Sequence, residues 1–387
     1  MRTGKRLCSQ ACCKALACFL VEACLLCSLT SSSATPQQPT EPPVSPSWIP
    51  TQGAPPGAHY AGRQACAECH VSEAQTQADS PMGHAAEDVA NCDILTKHPV
   101  LTYRFGAYSY KITRDGNRST YSVTDNRLTV SAPILWAFGK GESGQTYMLE
   151  HDGAYYQSRV SFYNDIQSLE LTLGMARDLP HSVEEALGDR LEARASRDCI
   201  ACHTTNAVSG DQLHVQSLVP GVSCEVCHGP GGDHIAAVKA GNLQHAFIFN
   251  PGKLAPGELN EFCGSCHRTS LQVQMMNIRG VANVRFQPYR LENSRCWDPD
   301  DARIGCLACH NPHEPRRRDA AFYDPKCLSC HRIAATKRSA NHPGKACPVG
   351  RRGCITCHMP KYELPRGHFK FSDHDIRIVR AGAAYPG

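Results

Sequence analysis

Outside its first 34 residues the sequence has no run of 18 or more uncharged apolar residues, so no membrane-spanning helix is expected there. It lacks an excess of either charge. The 40 Lys and Arg stand against 36 Asp and Glu, too even a balance for the basic footprint of a nucleic-acid binder. It also lacks the composition of collagen and of a disordered chain, with 41% hydrophobic and 20% charged residues. Methionine is scarce, at seven in 387. What is present is a chain long enough for two or three domains of about 100–200 residues, carrying 23 cysteines. Such a number is too high for an ordinary cytosolic enzyme and too spread for a small disulfide-stapled module.

Residues 1–34 read as an export signal: Arg2, Lys5 and Arg6 precede an apolar run from Ala15 to Leu29, and Ser32-Ser33-Ala34 is a small-x-small cleavage pattern. Glu22 and six cysteines (8, 12, 13, 18, 24 and 27) interrupt it. A lipid-anchor cleavage at Cys24 or Cys27 is the weaker reading, because Glu22 and Leu26 are poor neighbours for one. Residues 35–58 are a Pro-rich linker unable to build a core. Seventeen cysteines follow, and fourteen of them repeat one pattern.

That pattern is Cys-x-x-Cys-His, and it occurs seven times. Its copies are Cys66-Cys69-His70, Cys199-Cys202-His203, Cys224-Cys227-His228, Cys263-Cys266-His267, Cys306-Cys309-His310, Cys327-Cys330-His331 and Cys354-Cys357-His358. In c-type haem attachment two thiols add across the vinyl groups and the next histidine ligates the iron. Histidine is 19 of 387 residues, so its chance placement after all seven pairs has odds of about 10⁻⁹. A zinc-ribbon array would need the pairs to share metals, which leaves one pair odd and the seven histidines without a role. The motifs therefore imply seven covalently bound c-type haems. Attachment takes place outside the cytoplasm, so a bacterial periplasmic or secreted location follows.

Haem also changes the charge. Without Arg2, Lys5, Arg6, Lys14 and Glu22 the chain has 36 basic and 35 acidic side chains. Fourteen propionates and seven ferric centres would bring it to about −6. Nucleic acid is not an expected partner. The clusters Arg316-Arg317-Arg318 and Arg351-Arg352 read first as solvated loop charges and second as propionate neighbours.

Between the first and second motifs lies the longest gap. Strand-like alternation over Tyr103–Thr113, Thr120–Thr124, Leu128–Val130, Thr146–Glu150 and Tyr155–Tyr163, with turns at Asp115-Gly116-Asn117, Asp125-Asn126 and Asp152-Gly153, predicts a β-rich insertion over 99–165. Ser182 and Glu185 form a capping box expected to open a helix running to about Ala195. The later six motifs start 25, 39, 43, 21 and 27 residues apart. So little protein per porphyrin predicts a mainly α and irregular cytochrome fold whose core is packed by haem. The expected organisation is an N-terminal haem segment over 59–98, the insertion over 99–165 and a hexahaem domain over 166–387.

Twelve histidines remain for the second axial positions. The candidate distal ligands are His84, His98, His234, His313, His342, His368 and His374; His59, His151, His181, His214 and His245 read as surface residues. Met82 and Met359 are alternatives, although methionine more often packs a core. Seven irons need at most seven partners, so every iron can be closed.

The segments GVSCEVCHGPGGDH (221–234), FCGSCH (262–267), RFQPYRLENSRCWD (285–298), CLACHNPHEP (306–315), FYDPKCLSCH (322–331), CPVGRRGCITCHMPK (347–361) and HFKFSDHDIRIVR (368–380) resemble the multihaem cytochromes of the cytochrome c-554 and hydroxylamine oxidoreductase superfamily. The resemblance spans about 59–380. It implies haems packed in parallel and perpendicular pairs, His234 and His313 as distal ligands, and electron transfer in nitrogen or sulfur respiration. No Cys-x-x-Cys-Lys site is present, unlike the pentahaem nitrite reductases, and seven motifs differ from the eight haems of hydroxylamine oxidation. Cys92, Cys296 and Cys347 lie outside the motifs; Cys296 and Cys347 fall in resembling segments, and a disulfide between them is expected in an oxidising compartment, with Cys92 free.

The function expected is electron transfer outside the cytoplasm in a respiratory chain, with other cytochromes or a quinol-oxidising complex as redox partners. The alternative is a haem-dependent oxidoreductase acting on a small nitrogen or sulfur oxo-species at one open iron. A third reading makes the β insertion a docking surface for a larger complex.

Overall fold

The computed structural model describes residues 48–242, 247–331, 347–380 and 382–386. His245 and His342, the latter a candidate distal ligand, lie outside the described residues.

Ten strands arise between residues 86 and 191: β1 (Ala86–Asp88), β2 (Val100–Phe105), β3 (Tyr108–Asp115), β4 (Arg118–Thr124), β5 (Thr129–Phe138), β6 (Thr146–His151), β7 (Ala154–Ser158), β8 (Val160–Tyr163), β9 (Ser168–Leu171) and β10 (Gly188–Leu191). Eight of them form one sheet in the order β10-β7-β6-β5-β4-β3-β2, with β1 beside β5; β8 and β9 pair separately. All these pairings are antiparallel. Period-two patterning drives the sheet. Tyr108, Tyr110 and Ile112 of β3, Tyr121 and Val123 of β4, and Val130, Ala132 and Ile134 of β5 are buried, and the residues between them are mostly more exposed. Asp152 (φ +49) and Gly153 (φ +71) supply the left-handed pair that a two-residue turn between β6 and β7 requires. A register shift between Ile134 and Trp136 divides β5, so that its first half pairs with β4 and its second with β6 and β1.

The β-rich insertion expected over 99–165 thus takes the form of strands, and β1, β9 and β10 extend strand structure beyond those bounds. Strand is a larger part of the chain than a mainly α and irregular fold implies. Ser182 does cap a helix, accepting the Glu185 N–H at 3.1 Å, while Glu185 accepts the His181 N–H at 2.8 Å. That helix, Val183–Leu187, stops well short of Ala195. Gly188 ends it by starting β10 opposite Ser158, and a Cβ there would lie 2.0 Å from the Gln157 carbonyl oxygen. A second helix, Ala193–His203, then carries the chain into the second motif.

The core of this region holds Leu95, Tyr121, Tyr147, Leu149, Phe162 and Leu187, each worth about 1.5–3 kcal/mol on burial. Tyr147 is fully buried, and among the described residues its hydroxyl has no hydrogen-bond partner. An unpaired buried hydroxyl costs about 1–3 kcal/mol. Tyr147→Phe is therefore expected to leave the urea or thermal unfolding midpoint unchanged or to raise it; a loss above about 1 kcal/mol would show that the hydroxyl is bonded.

Short helices carry the motifs: Arg63–Ala67, Ala193–His203, Cys224–His228, Pro256–His267, Cys306–Cys309, Asp324–Leu328 and Cys354–His358 each contain at least part of one. Helical spacing puts the two cysteines, three residues apart, on one face and brings the following histidine beside them. The His70, His310 and His331 N–H groups bond the carbonyls of Cys66, Cys306 and Cys327 at 2.9–3.1 Å, continuing the turn through the motif.

Candidate functional site

Among the described residues three motif histidines face a second imidazole. His70 stands 6.5 Å from His234 between ring centroids, His228 is 6.0 Å from His313, and His310 is 6.3 Å from His374. The interplanar angles are 29°, 14° and 37°. Two imidazoles on opposite sides of one metal, each bonded at about 2.0–2.1 Å, place their centroids about 6.3 Å apart. The three pairs therefore fit a haem iron between them. Among the described residues no cluster of three or more His, Cys, Asp or Glu converges as a separate metal site.

Ring orientation is set by the backbone. His203, His228, His358 and His374 donate Nδ1–H to the carbonyls of Ala85, Phe249, Arg377 and Ser372 at 2.8–3.0 Å. This bond fixes the tautomer and leaves Nε2 as the lone pair for a metal. Burial lowers the imidazoles of His203, His228, His267 and His310, and takes His374 down to about 4. They are thus held neutral, the form that ligates.

The motifs adjoin one another. The helix of motif one packs on that of motif three, motif four on motif five, and motif six on motif seven. The turns after motifs five and seven bring His313 to His228 and His374 to His310. These contacts link motifs one, three, four, five, six and seven.

Of the candidate distal ligands among the described residues, His234, His313 and His374 meet a motif histidine. His84 stands beside the Ala85 carbonyl that receives His203, and its Nδ1 bonds Glu87 at 3.0 Å. His98 instead packs on Phe162 at 4.8 Å, within the strand region. His368 lies against Tyr163 at 5.0 Å with its Nε2 buried, 3.8 Å from Glu170. The basic cluster forms surface ion pairs: Arg316 and Arg318 with Glu142, and Arg317 with Glu314. Arg351 and Arg352 are exposed.

Among the described residues no two cysteines form a disulfide, and Cys92 is unlinked, as expected. The disulfide expected between Cys296 and Cys347 is not formed, and each stands unlinked.

Several buried carboxylates escaped sequence reasoning. Glu225, inside the third motif and 2% exposed, accepts the N–H groups of Ala61, Gly62 and Gly231 at 2.7–2.9 Å, tying the first motif's approach to the loop leading to His234. Asp324 accepts the Gly353 and Cys354 N–H groups, both at 2.8 Å, joining motifs six and seven; these bonds hold its carboxyl below the usual range. A charged residue within SCEVCH was the available signal for Glu225. Alternating acids around a histidine, SDHD, was the signal for Asp373 and Asp375.

His267 opens onto a cavity of about 380 Å³ lined by Tyr163, Arg285, Gln287, Thr172 and Phe371, among others. Among the described residues no second imidazole stacks on His267.

Residues 172–229 match the family model of cytochrome c554 and c-prime. Over 221 residues the chain is 24% identical to the multihaem cytochrome MtrA of Shewanella baltica (strain OS185), covering 52% of this chain and 56% of that protein. The chain thus spans about half the length of the curated relative it matches. The crystal structure of the outer cell wall cytochrome OcwA aligns with a TM-score of 0.45 at 14% identity, covering 83% of this chain and 80% of that one. Among the described residues no helix is long and apolar enough to cross a membrane. With its seven Cys-x-x-Cys-His motifs and these sequence likenesses, the chain is similar to multihaem c-type cytochromes.

Proposed function

We propose that the protein is a heptahaem relay working outside the cytoplasm in a respiratory chain, passing single electrons between redox partners such as other cytochromes or a quinol-oxidising complex. The observation that carries this reading is the set of contacts that links motifs one, three, four, five, six and seven. When bound, c-type haem supplies a one-electron iron couple. The chain's own part is to attach and orient. Cys66, Cys69, Cys199, Cys202, Cys224, Cys227, Cys263, Cys266, Cys306, Cys309, Cys327, Cys330, Cys354 and Cys357 would hold the porphyrins. His70, His203, His228, His267, His310, His331 and His358 would be the first iron ligands, and His234, His313 and His374 the second ligands for motifs one, three and five. Burial and an Nδ1 bond keep the His228 and His374 imidazoles neutral and aimed.

Injecting less than one electron per oxidised molecule by a flash-generated reductant tests the relay. Redistribution among haems is expected at a rate independent of protein concentration. A rate that scales with concentration would mean that electrons move only between molecules.

The His267 cavity supports a second reading, an oxidoreductase whose fourth motif holds an open iron, with Arg285 and Tyr163 beside a small nitrogen or sulfur oxo-species. A high-spin signal integrating to one haem and shifting with nitrite or sulfite would favour it. A fully low-spin oxidised protein would reject it.

A further inference from the structure

His374 is held from both sides by charge. On its N-terminal side Asp373, 0% exposed, receives Arg290 in a two-pronged contact, Nε to Oδ1 at 2.8 Å and Nη2 to Oδ2 at 3.0 Å. On its C-terminal side Asp375 receives the same Arg290 Nη2 at 3.0 Å. Arg377 closes the group, reaching Asp373 Oδ2 at 2.6 Å, and the Asp375 N–H bonds Asp373 Oδ1 at 3.1 Å. Two guanidinium groups and two carboxylates thus balance one another. Ser294, four residues after Arg290, adds a hydroxyl that donates to the His374 carbonyl at 2.6 Å and accepts the Ile376 N–H at 2.8 Å. The Tyr385 ring covers the Arg290 guanidinium at 4.9 Å, and its hydroxyl bonds Asn283 at 2.5 Å.

Burying four charges is a poor way to gain stability, since well-packed apolar residues of the same volume do as well or better. What such a cluster does supply is a single geometry, because the planar fork of an arginine fits a carboxylate in one orientation. Here that geometry bears on one residue. Backbone and side-chain contacts grip positions 373, 374, 375 and 376, and the Nδ1–H of His374 is bonded to the Ser372 carbonyl at 3.0 Å. Nε2 is the remaining ring nitrogen, and the ring faces His310 at 6.3 Å.

We propose that Arg290 is a positioning residue: its fork to Asp373 and Asp375 fixes the backbone on both sides of His374, so that the imidazole completes the iron of the fifth motif opposite His310. This rests on the reading that His310 and His374 share an iron. The clamp joins the 285–298 and 368–380 segments, 83 residues apart, and so acts as a long-range constraint that no local turn around His374 supplies.

The test uses the haem-loaded full-length protein, with haem content and low-temperature electron paramagnetic resonance measured together. His374→Gly should convert one haem equivalent from low spin to high spin, and added imidazole should reverse it. Arg290→Lys keeps the charge and loses the fork; it should keep seven haems yet show part or all of the same one-equivalent conversion, again reversed by imidazole. Asp375→Asn, which leaves the Arg290–Asp373 fork intact, provides a milder variant should the lysine variant fail to accumulate, and should show a smaller conversion in the same haem. If His374→Gly leaves every haem low-spin, the pairing of His310 with His374 is wrong. If it converts one haem while Arg290→Lys and Asp375→Asn change only the unfolding midpoint, the pairing stands and the positioning role is overturned.

Discussion

Glu225→Ala should destabilise the protein by about 2–4 kcal/mol, because three backbone N–H groups, that of Gly231 buried and those of Ala61 and Gly62 partly so, lose a carboxylate partner at once. The carboxylate lies between Cys224 and Cys227 yet serves a different motif, holding Ala61 and Gly62 against Gly231. Gly231 leads into the helix Gly232–Lys239, which presents His234 to His70. Loss of the tie should therefore reach the first motif's iron as well as overall stability. Urea unfolding measures the first effect, and a high-spin signal of up to one haem equivalent measures the second. Glu225→Gln, with one acceptor oxygen instead of two, should fall between the two proteins. An alanine variant of unchanged stability would show that water satisfies the three donors.

His313→Ala should convert a different single haem. His228 and His313 are the most nearly parallel pair, 14° apart at 6.0 Å, and His313 sits on a turn in which Asn311 Oδ1 accepts its N–H at 3.0 Å. Removing the imidazole leaves Cys224, Cys227 and His228 intact, so the haem count should hold at seven while one low-spin iron becomes high-spin. Added imidazole should restore it. Retention of every low-spin signal would separate His313 from the third motif. The double variant His313→Ala with His234→Ala should convert two equivalents additively, since the two imidazoles face the histidines of different motifs.

The Cys-x-x-Cys-His motifs were legible because they are local: two thiols and an imidazole within five residues. That His234, His313 and His374 stand close to motifs in sequence was legible too. Which motif histidine each faces was not. His234 follows the third motif but faces the first, His313 follows the fifth but faces the third, and His374 follows the seventh but faces the fifth. Each pairing is made by the chain's long-range path. The strands over 100–163 followed from alternation and from turn residues such as Asp152-Gly153, whereas the end of the helix at Leu187 depends on Gly188 pairing with β7, a tertiary contact. The same holds for Arg290 and Asp373, separated by 83 residues, and for the thiols of Cys296 and Cys347, which proximity to successive motifs did not bring together.

The proposed function requires that seven haems attach at the seven motifs and that the paired histidines close the irons of motifs one, three and five. Quantitative electron paramagnetic resonance of the oxidised protein, referenced to haem and chain concentration in the same sample, tests it most directly. The account predicts seven haems per chain with at least three low-spin equivalents, each lost singly in the His234, His313 and His374 variants. Fewer than seven haems, or low-spin signals unmoved by those substitutions, would contradict it.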